Sequence, residues 1–226
     1  METHSSYLRV RPTSTPKIGK ADRTRTAILN AALEFLWTHR FRDLTVASLM
    51  ASTSAGRSAF YRYFSDLHEL MEALLDMLRE EIFDAAEPWT AGSGDPVSLL
   101  NEALGALVDI GYRRGPFLRA IVDAAATDSR IEGGWQQFLQ AFDDAACLRI
   151  ESDQAQGLIP EFDALPVAIS LTRLNAYSLI DAFGQRPRKQ KAPVQQALAR
   201  VWISTLYTNE LVAERTSKLK LIRKSE

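Results

Sequence analysis

The sequence predicts an all-α protein of nine helices, arranged as a small N-terminal domain and a larger helical domain behind it. Three observations predict it. Between Thr45 and Leu70 a short apolar helix, a break, a second short helix rich in Tyr and Arg, and the start of a third follow one another, which is the order of a helix-turn-helix. Elsewhere apolar residues recur at helical spacing in every long segment, and no stretch alternates as a half-buried strand would. Finally, 226 residues of which 46% are hydrophobic suffice to bury the cores of two small domains or one of medium size.

Residues 1–20 hold Ser, Thr and Pro with Arg9, Arg11, Lys17 and Lys20 and show no periodicity, so a flexible basic arm is expected there. From Asp22, the positions Ala27, Ile28, Ala31, Ala32, Phe35 and Leu36 mark a first helix ending near His39. Thr45 is placed to cap the second helix, whose Val46, Leu49 and Met50 share one face. Ser52, Thr53 and Ser54 favour a turn because their hydroxyls compete for backbone partners. The third helix begins near Gly56. Phe60 and Phe64, four apart, point inward together and leave Arg57, Ser58, Tyr61 and Arg62 outward, with Tyr63 at the margin.

A fourth helix starts at Asp66 with Leu70, Leu74, Met77, Leu78 and Ile82 inward; it is expected to stop before Pro88, leaving WTAGSGD as a loop. Asp95 can cap a fifth that opens on Pro96 and runs to Tyr112, where Gly115 and Pro116 break it ahead of a short helix over Phe117 to Ala125. A long helix from about Glu132 to Gln156 is closed by Gly157, which can take the left-handed backbone. Two more run from Pro166 to Phe183 and from Pro193 to about Val212, with the basic loop GQRPRKQKA between them. The implied organisation is a basic arm (1–20), a helix-turn-helix domain (21–66), a larger domain (67–213) and a basic tail (214–226).

Charge points to a partner. Over residues 1–64 ten Lys and Arg stand against four Asp and Glu, whereas the remainder carries 17 against 24, so a near-neutral total hides a polarised chain. A basic end on an acidic body is expected when one end meets a polyanion. Arg forks and Tyr hydroxyls donate to phosphate oxygens, and Arg can clamp the two acceptors of guanine in the major groove. A short helix with two Phe inward and two Arg outward is also what a solvated surface helix shows, and the charge distribution tips the balance toward double-stranded DNA.

Other classes find little support. One cysteine, Cys147, allows neither an internal disulfide nor a Cys-x-x-Cys metal cage. No apolar run approaches the ~18 residues of a membrane span, and the N-terminus lacks the apolar core of a secretion signal, so a cytoplasmic protein with no membrane partner is expected. An all-helical enzyme is not expected: His4, His39 and His68 lie far from Cys147 and lack the HExxH spacing, and GSGD lacks the strand and third Gly of a phosphate-binding turn. The pairs Glu80–Glu81 and Asp143–Asp144 splay around a helix and read as solvated. No cofactor and no metal site is expected.

The segments TVASLM and FYRYF, followed by the start of the fourth helix, resemble the N-terminal signature of the TetR family of transcriptional regulators. LPVAISLTRLNAYSLIDAFG (Leu165 to Gly184) and ARVWISTLYTNE (Ala199 to Glu210) resemble the last two helices of its EthR-like branch, so the likeness spans roughly Asp22 to Glu210. It implies an N-terminal helix-turn-helix DNA-binding domain joined to a helical ligand-binding and dimerisation domain. It also implies a homodimer through the last two helices, which presents two recognition helices to a pseudo-palindromic operator. DNA-contacting positions would be Thr45, Ser54, Arg57, Ser58, Tyr61, Arg62, Tyr63 and His68. Three positions depart from the family pattern: Ser54 stands where Gly is usual in the turn, Gly56 where Ser caps the recognition helix, and Leu67 where a Lys opens the fourth helix, with His68 the nearest substitute.

In the larger domain Leu104, Leu107, Trp135, Phe138, Phe142, Tyr177 and Trp202 read as core. Thr172 and Asn175, three apart on an otherwise apolar helix, suggest two polar groups facing inward. By resemblance Asn175 would hydrogen-bond a ligand in an apolar channel and Trp202 would line its deep end; packing of Asn175 against a neighbouring backbone group is the plain alternative. The candidate ligand residues are therefore Leu104, Leu107, Trp135, Phe138, Phe142, Thr172, Asn175 and Trp202, around a small apolar effector with an acceptor group. Leu100, Leu107, Ala145 and Ala146 stand where the branch carries aromatics, so a wider or differently filled channel is expected. Leu171, Leu174, Leu179, Ile180 and Phe183, with Val201, Ile203, Leu206, Tyr207 and Leu211, spread over more than one face and suggest a partner surface. The function implied is a ligand-responsive regulator, most simply a repressor; the alternative is a ligand-binding or interaction protein of the same fold that has lost operator binding.

Overall fold

A computed structural model describes residues 20–207. Its helices are α1 (Lys20–Phe35), α2 (Val46–Ala51), α3 (Arg57–Phe60), α4 (Leu67–Thr90), α5 (Pro96–Ala125), α6 (Ser129–Ala155), α7 (Ala164–Phe183) and α8 (Lys191–Leu206), with a 3₁₀ turn over Phe41–Asp43. Among the described residues there are thus eight α-helices and no strand, one helix fewer than the sequence predicts. Residues 1–19 of the basic arm, the basic tail and Leu211 lie outside the described residues, whereas Lys20 opens α1.

The missing break is at Gly115–Pro116. Proline there removes the N–H that would bond the Tyr112 carbonyl four residues back, yet α5 continues because Arg188 Nη1 donates to that carbonyl at 2.7 Å. Gly115 serves packing: a Cβ on it would lie 2.4 Å from the Phe183 carbonyl oxygen, so its absence lets α5 lie against the end of α7. Pro88 likewise fails to stop α4, which runs on to Thr90. The carbonyl it frees belongs to exposed Asp84 and can reach water. The Trp89 carbonyl in the last turn accepts from Arg149 Nη1.

Several helix ends follow their sequence signals. Thr45 Oγ1 accepts from Ser48 N at 3.0 Å, and Ser48 Oγ accepts from Thr45 N at 3.0 Å, a reciprocal capping box. Asp66, Asp95 and Asp128 accept from Glu69 N, Ser98 N and Ile131 N at 2.8, 2.9 and 3.2 Å. Gly157 closes α6 at φ 64°, where a Cβ would be strained.

Two apolar clusters make the core. The first joins Ile28, Leu29, Leu49, Phe60 and Phe64 of the small helices to Leu70–Leu78 of α4, Phe117–Ala124 of α5 and Ile131–Leu139 of α6. The second joins the ends of α4 and α6 to the first half of α5, α7 and α8. The head therefore shares its core with α4, α5 and α6. Helix α4 crosses from one cluster to the other.

Candidate nucleic-acid face and ligand cavity

Helix α3 is one turn long, continued by a turn through Tyr63. Buried Phe60 and Phe64, with ring centroids 5.6 Å apart, anchor it to the head. Arg57, Ser58, Tyr61 and Arg62 are exposed, as are Thr45 and Ser54, while Tyr63 is half-buried beneath the Arg62 guanidinium. Among the described residues the side chains of Arg57, Ser58 and Arg62 enter no hydrogen bond or ion pair, so their donors face solvent uncommitted. No non-glycine residue described has a positive φ, so the turn at Ser54 needs no glycine. Gly56 caps α3 with backbone alone, at φ −74° and ψ 163°.

His68 is differently placed from the other seven. Its Nε2 meets Asp128 Oδ2 at 2.5 Å, at the N-terminus of α6. Arg130 closes the same seam from the α6 side, with Nη1 on Asp66 at 2.9 Å and Nε on Glu72 at 2.9 Å. The first turns of α4 and α6 are thereby tied by charge-assisted bonds. The His68 bond, followed by that from the Ile131 amide, holds the Asp128 carboxyl below its usual range.

All eight residues singled out in the larger domain line one cavity, together with the end of α4. Leu104 and Leu107 come from α5, Trp135, Phe138 and Phe142 from α6, Thr172 and Asn175 from α7, and Trp202 from α8. Its volume is about 110 Å³. Leu100, Leu107, Ala145 and Ala146 do line it. Ile82, Phe83 and Trp89 of α4 line it as well. Trp89 was concealed in the sequence by Pro88, which reads as a helix end and relegates it to a loop.

The polar groups of the cavity have definite roles. Trp202 Nε1 donates to Asn175 Oδ1 at 2.9 Å. An indole N–H can only donate, so the amide nitrogen of Asn175 is left facing elsewhere. Among the described residues that nitrogen has no acceptor, and no fully buried side-chain nitrogen or oxygen lacks a partner, so it is open to the cavity. Thr172, by contrast, spends its hydroxyl on Asp143 and on the Ile169 carbonyl. Asp143 is only 2% exposed and receives Arg173 at 2.8 and 2.9 Å, which corrects its reading as a solvated carboxylate. The physical reason is α7, which covers that side of α6 with a matching cation.

A second buried polar chain closes the far end. Trp89 Nε1 donates to Tyr207 Oη at 3.1 Å, Tyr207 Oη donates to Asp153 Oδ2 at 2.6 Å, and Arg149 Nε pairs with Asp153 Oδ1 at 2.9 Å. Burial and then the bond to Asp153 push the Tyr207 hydroxyl well above its usual value, so it stays a donor. The Trp89 and Trp202 rings meet edge to face at 5.4 Å. Arg149 and Asp153, four apart on α6, look in sequence like an ordinary surface pair, and nothing local marks them as buried.

The surplus apolar surface also differs from the sequence expectation. Leu171, Leu179, Phe183, Leu206 and Tyr207 are buried in the protomer. On these two helices the exposed large apolar residues are Leu165, Ile169 and Tyr177 on one side of α7 and Val201 on α8, so Tyr177 is not core; Leu148 of α6 and Tyr61 are exposed as well.

This arrangement, a helix-turn-helix head on a helical body enclosing an apolar cavity, defines a class of one-chain regulators. Residues 100–208 match the family profile described as "Transcriptional regulator EthR, C-terminal domain". The HTH-type transcriptional regulator EthR of Mycolicibacterium smegmatis is 24% identical over 192 residues, covering 82% of this chain and 87% of that protein. A Syntrophomonas wolfei protein described as a TetR-family transcriptional regulator superposes with a TM-score of 0.71 at 16% identity, over 80% of this chain and 94% of the other. The SmeT–triclosan complex superposes with a TM-score of 0.69 at 15% identity, over 84% and 94%; SmeT is described as the repressor of a Stenotrophomonas maltophilia multidrug efflux pump. Residues 100–208 thus match the EthR C-terminal-domain profile, and the chain is similar along most of its length to regulators of the EthR-like kind. Among the described residues no helix is long and apolar enough to cross a membrane.

Proposed function

We propose that this regulator is a cytoplasmic repressor that binds a pseudo-palindromic operator as a dimer and leaves it when a small apolar effector fills the cavity. The observation that carries the reading is α4. Its 24 residues span about 36 Å, from the Asp66 cap just beyond α3 to Trp89 and Thr90 in the cavity wall. An effector that displaces the cavity end must therefore move the end that follows the recognition helix, and effector and DNA binding are reciprocally coupled.

The DNA face comprises Arg57, Ser58, Tyr61 and Arg62, with Thr45, Ser54 and Tyr63 beside them. A two-fold dimer through the exposed stripe Leu165, Ile169 and Tyr177 of α7 and Val201 of α8 would present two such faces to half-sites about 34 to 36 Å apart. Within the cavity the Asn175 amide nitrogen favours an effector carrying a carbonyl-like acceptor. At about 110 Å³ the cavity is smaller than the ~150 Å³ that holds a benzene ring. Effectors of drug size, which need some 300 Å³ or more, must push the indoles of Trp89 and Trp202 aside.

Selection of bound duplexes from a random pool tests the reading. We expect recovery of two inverted half-sites one helical turn apart. Arg57→Ala should relax base preference if that guanidinium reads guanine, and Arg62→Ala should weaken all sequences alike if it meets phosphate. Recovery of no duplex by the wild type would favour the operator-less alternative, and an effector that saturates the cavity without changing operator affinity would refute the switch.

A further inference from the structure

The loop between α7 and α8 carries three cations, Arg186, Arg188 and Lys189, and a fourth, Lys191, opens α8; the proposed function leaves all four unused. Two of them reach the head. Arg188 lies between two rings, its Cζ 4.9 Å from the Trp37 centroid, just past the end of α1, and 3.6 Å from the Tyr112 centroid of α5. Arg186 covers the same indole at 5.0 Å. Where the loop enters α8, Lys189 pairs with Asp181 in the last turn of α7 at 2.5 Å and Lys191 with Asp109 of α5 at 2.6 Å.

We propose that Arg188 is a positioning residue for DNA binding, a brace that fixes the helix-turn-helix head against the body by stacking between Trp37 and Tyr112. The inference rests on the regulator reading above and adds to it a further link between the domains. The head is already joined to the body by the core it shares with α4, α5 and α6 and by the seam between α4 and α6. The brace starts instead from α7. That helix lines the cavity with Asn175 and Leu179 and ends at Phe183, whose ring meets Tyr112 edge-on at 5.4 Å. Movement of α7, whether from an occupied cavity or from a dimer partner on Leu165, Ile169 and Tyr177, passes through the loop to Trp37.

Arg188 suits this role for two separate reasons. A planar guanidinium can stack on two rings at once, which an ammonium cannot. It also donates to the Tyr112 carbonyl, which Pro116 leaves without its helical donor. The proline in α5 and the arginine in the loop are thus one device. The same bond that lets α5 run through proline ties the loop to it.

Two measurements on the full chain test the brace. In hydrogen exchange, Arg188→Ala and Trp37→Ala should raise the rates of amides over residues 30–44 roughly tenfold while those of α6 and α8 stay unchanged. Arg188→Lys should resemble Arg188→Ala despite keeping its charge, and Trp37→Phe should resemble the wild type. On the selected operator and on duplexes with half-sites moved apart by one base pair, Arg188→Ala should discriminate spacing several-fold less than the wild type. Unchanged exchange in the head, an equal rise throughout the protein, wild-type behaviour of Arg188→Lys, or undiminished spacing discrimination would each overturn the proposal. Failure of the wild type to retain any duplex would instead refute the regulator reading, and the exchange result would still decide whether the brace exists.

Discussion

At the scale of single residues, what a side chain contributes depends on whether its partner is local or brought by another helix. Gly56 is a local case: its φ and ψ suit any residue, and a Cβ there meets nothing within 4 Å. Gly56→Ser should give α3 a side-chain cap and restrict the unfolded chain, raising stability by about 0.5 kcal/mol. An unchanged or lower urea midpoint would show that the cap does not form. Asp153 is the opposite case, 1% exposed and shared by Arg149 and Tyr207. Asp153→Ala leaves a buried guanidinium unpaired and should cost about 3 to 5 kcal/mol in denaturant unfolding; a loss under 1 kcal/mol would mean that water reaches Arg149.

Among the helices, α5 and α6 show that one residue type has opposite effects in different packing. Gly115 faces the backbone of Phe183, whereas nothing lies within 4 Å of a Cβ placed on Gly133 in α6. Gly115→Ala should destabilise by about 1 to 3 kcal/mol through forced separation of α5 from α7. Gly133→Ala should stabilise by up to about 1 kcal/mol, because alanine is the better helix former. Equal and same-signed shifts in thermal midpoint would contradict this. Helix number differs from the sequence expectation for a related reason: proline at 116 is a local breaker, and the arrival of Arg188 from 72 residues later supplies the donor that lets the helix continue.

For the whole molecule, the seam between α4 and α6 contributes to the acid sensitivity of the fold. Both Asp66, chiefly through the Glu69 amide, and Asp128, chiefly through His68, titrate below their usual range. A carboxyl depressed in the folded state contributes stability that is complete above its unfolded value, near 3.9, and is lost as pH falls through the lowered folded value. Stability should therefore decline below about pH 4. His68→Leu should move the Asp128 titration upward, as read by carboxyl NMR; an unmoved Asp128 would mean that the ring does not hold it. Duplex binding should fall steeply and linearly in log K against log salt, since residues 1–64 carry ten cations against four carboxylates. A flat salt response would mean that phosphates are not contacted.

The sequence alone determined what depends on periodicity and short-range chemistry: all-helical class, the helix-turn-helix, the Thr45 and Asp95 caps, and the eight residues that converge on the cavity. Those residues were legible because a helix repeats every 3.6 residues, so spacing assigns a face, and because the family resemblance singled out Asn175 and Trp202. Tertiary structure decided the fate of groups whose partners lie far along the chain. It made eight helices of nine, turned Asp143 from surface to core, brought Trp89 to the cavity, and committed His68 to Asp128 and Arg188 to Trp37 and Tyr112. Hydrogen bonds and ion pairs are satisfied in space rather than along the chain, and no local pattern records which distant donor will arrive.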